Sequence, residues 1–164
     1  MTMLRRSYLA AAAIAALALA IAYFFMERYL LLDPCPLCIL DRIVVFVMLV
    51  LFAASFVFAH ARRILWFGNI AALACGFVVA GRHLWLQYQP PDDGGACLSG
   101  AGGGALLDII RESFSADGDC SAVYWQFAGL SIPEMVFLLF CVFALLLLWQ
   151  GAQLFGRRRK EGAR

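Results

Sequence analysis

The sequence predicts an all-α membrane protein: a four-transmembrane-helix bundle with one long outer loop that carries a short amphipathic helix. Hydropathy and the placement of charge both point there. Of the 164 residues, 64% are hydrophobic and only 15% charged, too apolar a balance for an ordinary soluble domain. Four uncharged runs stand out: Leu9–Met26, Ile43–Ala59, Ile64–Gly81 and Met135–Phe155. Each is close to the roughly 17–25 residues that a helix needs to cross a hydrocarbon core of about 30 Å. These runs use most of the chain, so one integral membrane domain is expected. Its spans fall at about 8–30, 39–59, 64–88 and 132–155, and its outer loops at about 31–38 and 89–131.

The cations orient this arrangement. Arg5 and Arg6 precede span one, Arg62 and Arg63 separate spans two and three, and Arg157, Arg158, Arg159, Lys160 and Arg164 follow span four. In a four-span topology these nine of thirteen cations share one side, which the positive-inside rule makes cytoplasmic. Both termini are then inside. Asp33, Asp92, Asp93, Asp108, Glu112, Asp117 and Asp119 lie on the outer side. The first run resembles a signal peptide, but its 18 uncharged residues exceed the usual core of about 7–15, so an uncut span is expected.

Between spans one and two, Asp33-Pro34 ends the incoming segment and Cys35-Pro36-Leu37-Cys38 follows. A disulfide here would close a very small ring. Such a ring gains little chain entropy and is typical of catalytic rather than structural bridges. Proline fits a first helical turn, so a helix can begin around Pro36. Cys38 would then sit near a helix N-terminus, where free N–H groups favour a thiolate. Arg42 follows by four residues, on the same face and about 6 Å along the axis. An arginine just inside the outer end of a span needs a reason. It could stabilise the Cys38 thiolate and bind a polar cofactor head group; the plainer readings are snorkelling or pairing with Asp41.

His60–Arg63 forms a tight turn that makes spans two and three antiparallel neighbours. Arg82 and His83, near the outer end of span three, should match the depth of Arg42 and could border one pocket with it. Three donors at a lipid-accessible site would suit the carbonyl oxygens of a quinone, although His83 reads equally well as a structural histidine. Trp85, Gln87 and Tyr88 read as interfacial anchors.

The second outer loop opens with Pro90-Pro91-Asp92-Asp93-Gly94-Gly95 and continues through Gly100-Ala101-Gly102-Gly103-Gly104, sequences that resist regular structure. Leu106, Leu107, Ile110 and Phe114 share one face, which predicts a short amphipathic helix on the bilayer or on the ends of the bundle. Cys97 and Cys120 flank it. A bridge between them could staple the loop, adding about 3 kcal/mol on a chain-entropy estimate. With a second dithiol on the same side, thiol–disulfide exchange between the pairs is the better reading. Four outward cysteines suit an oxidising compartment. Cys75 and Cys141, inside spans three and four, read as small apolar packing residues.

Three motifs resemble the bacterial disulfide bond formation protein B (DsbB) family: Cys35-Pro36-Leu37-Cys38-Ile39-Leu40-Asp41-Arg42, Gly81-Arg82-His83-Leu84-Trp85-Leu86-Gln87, and Gly118-Asp119-Cys120 with Trp125 and Phe127-Ala128-Gly129-Leu130-Ser131-Ile132-Pro133. The likeness covers nearly the whole chain. It implies a quinone-dependent thiol oxidase of the bacterial inner membrane whose long loop is periplasmic. A reduced DsbA-like thioredoxin-fold protein would attack a Cys97–Cys120 disulfide through Cys97. Freed Cys120 would attack Cys35 and release Cys38, and Cys38, stabilised by Arg42, would pass electrons to ubiquinone or menaquinone. The resemblance also implicates His83, and more weakly Arg82, in quinone binding.

Other readings make different demands. A vitamin K epoxide reductase-like enzyme normally carries its CxxC late, beside the fourth span, whereas here it comes early. A four-cysteine zinc site from Cys35, Cys38, Cys97 and Cys120 predicts bound metal instead of disulfides. A four-span scaffold with structural bridges predicts no quinone binding.

Overall fold

The computed structural model describes residues 3–31, 34–88 and 125–161. Among them four helices are long and apolar enough to cross a membrane. Helix α1 (Met3–Ala20) continues without a break into a π-helical segment, Ile21–Tyr29. Next come α2 (Pro36–Val57), a single 3₁₀ turn at Ala59–Ala61, and α3 (Arg62–Tyr88). Two short strands, β1 (Gln126–Phe127) and β2 (Leu130–Ser131), lead into α4 (Ile132–Glu161). The expected loop helix around 106–114, together with Cys97 and Cys120, lies outside the described residues.

Apolar stripes close the bundle. Buried residues of α2 fall at Leu37, Leu40, Asp41, Val45, Met48, Phe52 and Ser55, and those of α3 at Asn69, Leu73, Gly76, Ala80, His83 and Leu86. Apart from the adjacent pair Leu40 and Asp41, steps of three and four residues keep each set on one face. The helices pack in ring order: α1 on α2, α2 on α3, α3 on α4, and α4 back on α1. Tyr8, Met48, Phe52, Phe140, Phe143 and Leu147 fill the centre with no exposed surface. Cys75 points out of the bundle and Cys141 is half-buried, so Cys75 is a lipid-facing side chain and not a core packer.

At the end bearing Arg62, Trp66 binds α3 to α4. Its indole N–H donates to the Leu147 carbonyl at 2.9 Å, and a Cβ added at Gly151 would lie 2.7 Å from the ring. Trp66→Phe keeps the packing and loses that bond, so it should destabilise the bundle by about 1 kcal/mol, measured by thermal unfolding in micelles.

The opposite end is tied by polar contacts. Glu134 accepts from the Ser131 backbone N–H at 2.6 Å, one half of a capping box at the start of α4, and also accepts from the Tyr88 hydroxyl. The Ser131 hydroxyl donates to Gln87 Oε1 at 2.8 Å. Gln87 is therefore a helix–helix tie, while Trp85 and Tyr88 are exposed as interfacial residues would be. Ala128 and Gly129, with φ of 54° and 82°, make the tight turn between β1 and β2. Trp125 stacks on Phe127 and meets Phe25 edge-on, which seats this turn against the π-helical segment.

Candidate functional site

Helix α2 begins where proline permits. Pro36 takes the first helical position, and the Cys35 sulfur serves as the N-cap, accepting from the Cys38 N–H at 3.3 Å. Cys38 Sγ lies 3.0 Å from Cys35 Sγ, so the first turn alone brings the two free thiols together. Beneath them Leu37, Leu40 and Leu86 form a small apolar floor against which Cys35 packs.

His83 reaches this dithiol from α3. Its Nε2 lies 3.7 Å from Cys35 Sγ, and its Nδ1 lies 3.7 Å from Oδ2 of Asp41. Both side chains are at least nine-tenths buried, with 5% of the imidazole and 4% of the carboxyl group exposed. The result is a line of groups running Asp41, His83, Cys35, Cys38. The 3.7 Å separation of Asp41 and His83 falls in ion-pair range and beyond hydrogen-bond length.

Arg42 takes a different direction. Successive helical residues are about 100° apart, so with Asp41 turned to α3, Arg42 turns to α1. There it forms an ion pair with Glu27 and donates to the Ala22 carbonyl at 3.4 Å, both in the π-helical segment. Such segments are rare and recur at functional sites. The pairing of Arg42 with Asp41 considered from sequence is thus replaced by two separate pairs, Arg42–Glu27 and Asp41–His83. Arg82 stands beside His83 on α3, half-buried, its side chain leaving the helix about 100° away.

Sequence reasoning missed Glu27 and weighed Asp41 only as a partner for Arg42. Each was visible as an acid at the outer end of an apolar span, a position that invites a search for a partner.

A membrane-spanning bundle that presents a dithiol at a helix N-terminus, beside a buried imidazole, defines a membrane thiol oxidoreductase. A family profile described as "Disulfide bond formation protein DsbB" matches residues 4–150. Proteins named "Disulfide bond formation protein B" are similar over most of the chain. The one from Psychrobacter arcticus is 38% identical over 151 residues, 82% of this chain and 83% of that protein. The one from Nitrosococcus oceani is 39% identical over 150 residues, with the same coverage. The one from Methylococcus capsulatus is 36% identical over 129 residues, 72% of this chain and 78% of the relative. The chain belongs to the DsbB family: it is a multi-pass membrane thiol oxidoreductase of disulfide bond formation.

Proposed function

We propose that this protein reoxidises a DsbA-like dithiol protein in the bacterial periplasm and delivers the electrons to ubiquinone or menaquinone in the inner membrane. The observation that carries this reading is the Cys35–Cys38 pair, its sulfurs 3.0 Å apart at the N-terminus of a membrane-spanning helix. The start of α1, the turn between α2 and α3 and the end of α4 bring Arg5, Arg6, Arg62, Arg63 and the Arg157–Lys160 run to one end of the bundle. That end is cytoplasmic on the positive-inside rule, which puts the dithiol at the periplasmic face.

In the proposed relay the partner's thiolate opens a Cys97–Cys120 bridge at Cys97. In the oxidised enzyme Cys35 and Cys38 are bridged; Cys120 attacks Cys35, the Cys35–Cys38 bond breaks, and Cys38 leaves as a thiolate at the helix N-terminus. The groups at this end fit a quinone: the guanidinium of Arg42 and the imidazole of His83 supply N–H donors at the edge of an apolar bundle. Arg42 would hold a carbonyl oxygen, and His83, its Nδ1 toward Asp41, would hold one by sharing its Nε2–H between the Cys35 sulfur and the quinone. A bound quinone supplies the sink for two electrons and two protons. Glu27 holds the Arg42 side chain on the α1 side of α2, and Leu37, Leu40 and Leu86 close the dithiol's inner side.

The test follows quinone absorbance when the detergent-solubilised protein is mixed with a reduced DsbA-type protein and either quinone. Quinone loss that requires the thiol protein supports the relay, and no loss with either quinone overturns it. In the same assay Arg42→Ala should raise the quinone KM about 10- to 100-fold, the size of a lost charged hydrogen bond. Because that change leaves Glu27 without its cation, Arg42→Ala/Glu27→Gln should recover stability without recovering the KM.

A further inference from the structure

Asp41 poses a problem that the relay does not solve. It is a carboxylic acid 3% exposed on a membrane-spanning helix, and neither of its oxygens accepts a hydrogen bond among the described residues. A carboxylate in such a place is costly unless a positive charge stands beside it. Among the described residues the group at ion-pair distance is the His83 imidazole, whose other nitrogen is 3.7 Å from the Cys35 sulfur.

We propose that Asp41 and His83 serve Cys35: His83, held as an imidazolium by Asp41, is the counter-ion and proton donor for the Cys35 sulfur each time that sulfur is freed. Asp41 is the positioning residue and His83 the catalytic one, because only His83 touches a reacting atom. This deepens the relay and rests on it for its place in the cycle.

The step served is the return exchange. Once Cys35 is bridged to Cys120, the partner's second thiol displaces Cys97 from the mixed disulfide, and the freed Cys97 thiolate attacks Cys120. The Cys97–Cys120 bond forms, the Cys35–Cys120 bond breaks, and Cys35 leaves carrying the electron pair. One disulfide replaces another, with no net oxidation. The departing charge appears beside the imidazolium, which pairs with it or gives it a proton while the carboxylate of Asp41 keeps the ring oriented. The Cys35 sulfur also accepts the Cys38 N–H at 3.3 Å as the N-cap of α2, so the imidazolium adds a full charge to the one N–H already serving that sulfur. Among the described residues the titratable groups shown at Cys35 are Cys38 from α2 and His83 from α3, with Asp41 behind His83 and the Arg42–Glu27 pair on the α1 side.

The experiment uses the full chain in micelles with Cys35 as its single cysteine, without quinone or partner protein, so it does not depend on the relay. The rate of Cys35 alkylation by iodoacetamide at neutral pH and the ultraviolet absorbance of the thiolate are measured together. His83→Ala should slow alkylation about tenfold or more and remove the thiolate absorbance, as expected for losing a cation about 4 Å away. Asp41→Asn should give a loss in the same direction, and Asp41→Glu, which restores the carboxylate, should recover most of it. Thermal unfolding of each variant identifies any that fail to fold. A Cys35 indifferent to His83→Ala, or folded Asp41→Asn and Asp41→Glu proteins that behave alike, overturns the proposal. If quinone reduction fails while Cys35 still depends on His83, the relay falls and this pairing stands; the reverse result removes the pairing alone.

Discussion

Cys38→Ser is expected to reduce thiol-driven quinone reduction by a thousandfold or more, on the order seen when an enzyme loses its nucleophile. The structure makes the prediction sharp because serine should be tolerated in place. Cys38 lies in the first turn of α2, its N–H is already capped by the Cys35 sulfur, and a hydroxyl fits where a thiol did. Melting temperature in micelles should therefore stay close to that of the unchanged protein while turnover disappears. Cys35→Ser should be equally inactive with its stability kept, since a serine hydroxyl caps the helix at least as well as the Cys35 sulfur. Cys75→Ala supplies the contrast: its side chain faces outward from α3, far along the helix from His83, and its removal should leave turnover within about twofold. Retention of activity by Cys38→Ser would remove the central sulfur from the mechanism and with it the proposed function.

What could be read in advance follows from the same residues. Four spans were legible because crossing a bilayer demands long apolar runs, and the start of α2 was legible because Pro36 can sit in few other helical positions. The direction of each polar side chain was not. A span that is apolar all round carries no stripe to say which face meets which neighbour. Helical spacing correctly placed Arg42 one turn from Cys38, yet it could not reveal that rotation of α2 gives Arg42 to α1 and Asp41 to α3. That choice depends on Glu27, fifteen residues earlier, and on the π-helical segment that carries it. His83 was legible as a candidate, but its nearest reactive atom, the Cys35 sulfur 48 residues away, follows only from the packing of α3 on α2.

Helix α3 also packs on α4 through Gly76, and Gly76→Val should disrupt that approach strongly. A Cβ at this position would lie 2.6 and 2.7 Å from two atoms of the Phe140 ring, closer than real contacts allow. The ring cannot simply swing away: Phe140 is fully buried and packs against Phe77, which in turn meets Phe137 edge-on. Helices without a strong hydrophobic drive between them associate through small residues that let backbones approach, and this glycine does so for α3 and α4. Overpacking there should cost about 1–3 kcal/mol, read as a fall in melting temperature in micelles. Gly81 gives the opposite sign on the same helix. Nothing lies within 4 Å of its added Cβ, so Gly81→Ala should gain up to about 1 kcal/mol from helix propensity. Gly76→Val should also reach the chemistry, because His83 lies two turns along the same buried face and any shift of α3 moves the imidazole away from Cys35. Trimming the ring with Phe140→Leu should relieve Gly76→Val, leaving the double variant more stable than the two separate costs predict. A stable, fully active Gly76→Val protein would mean that α3 and α4 do not approach through this glycine.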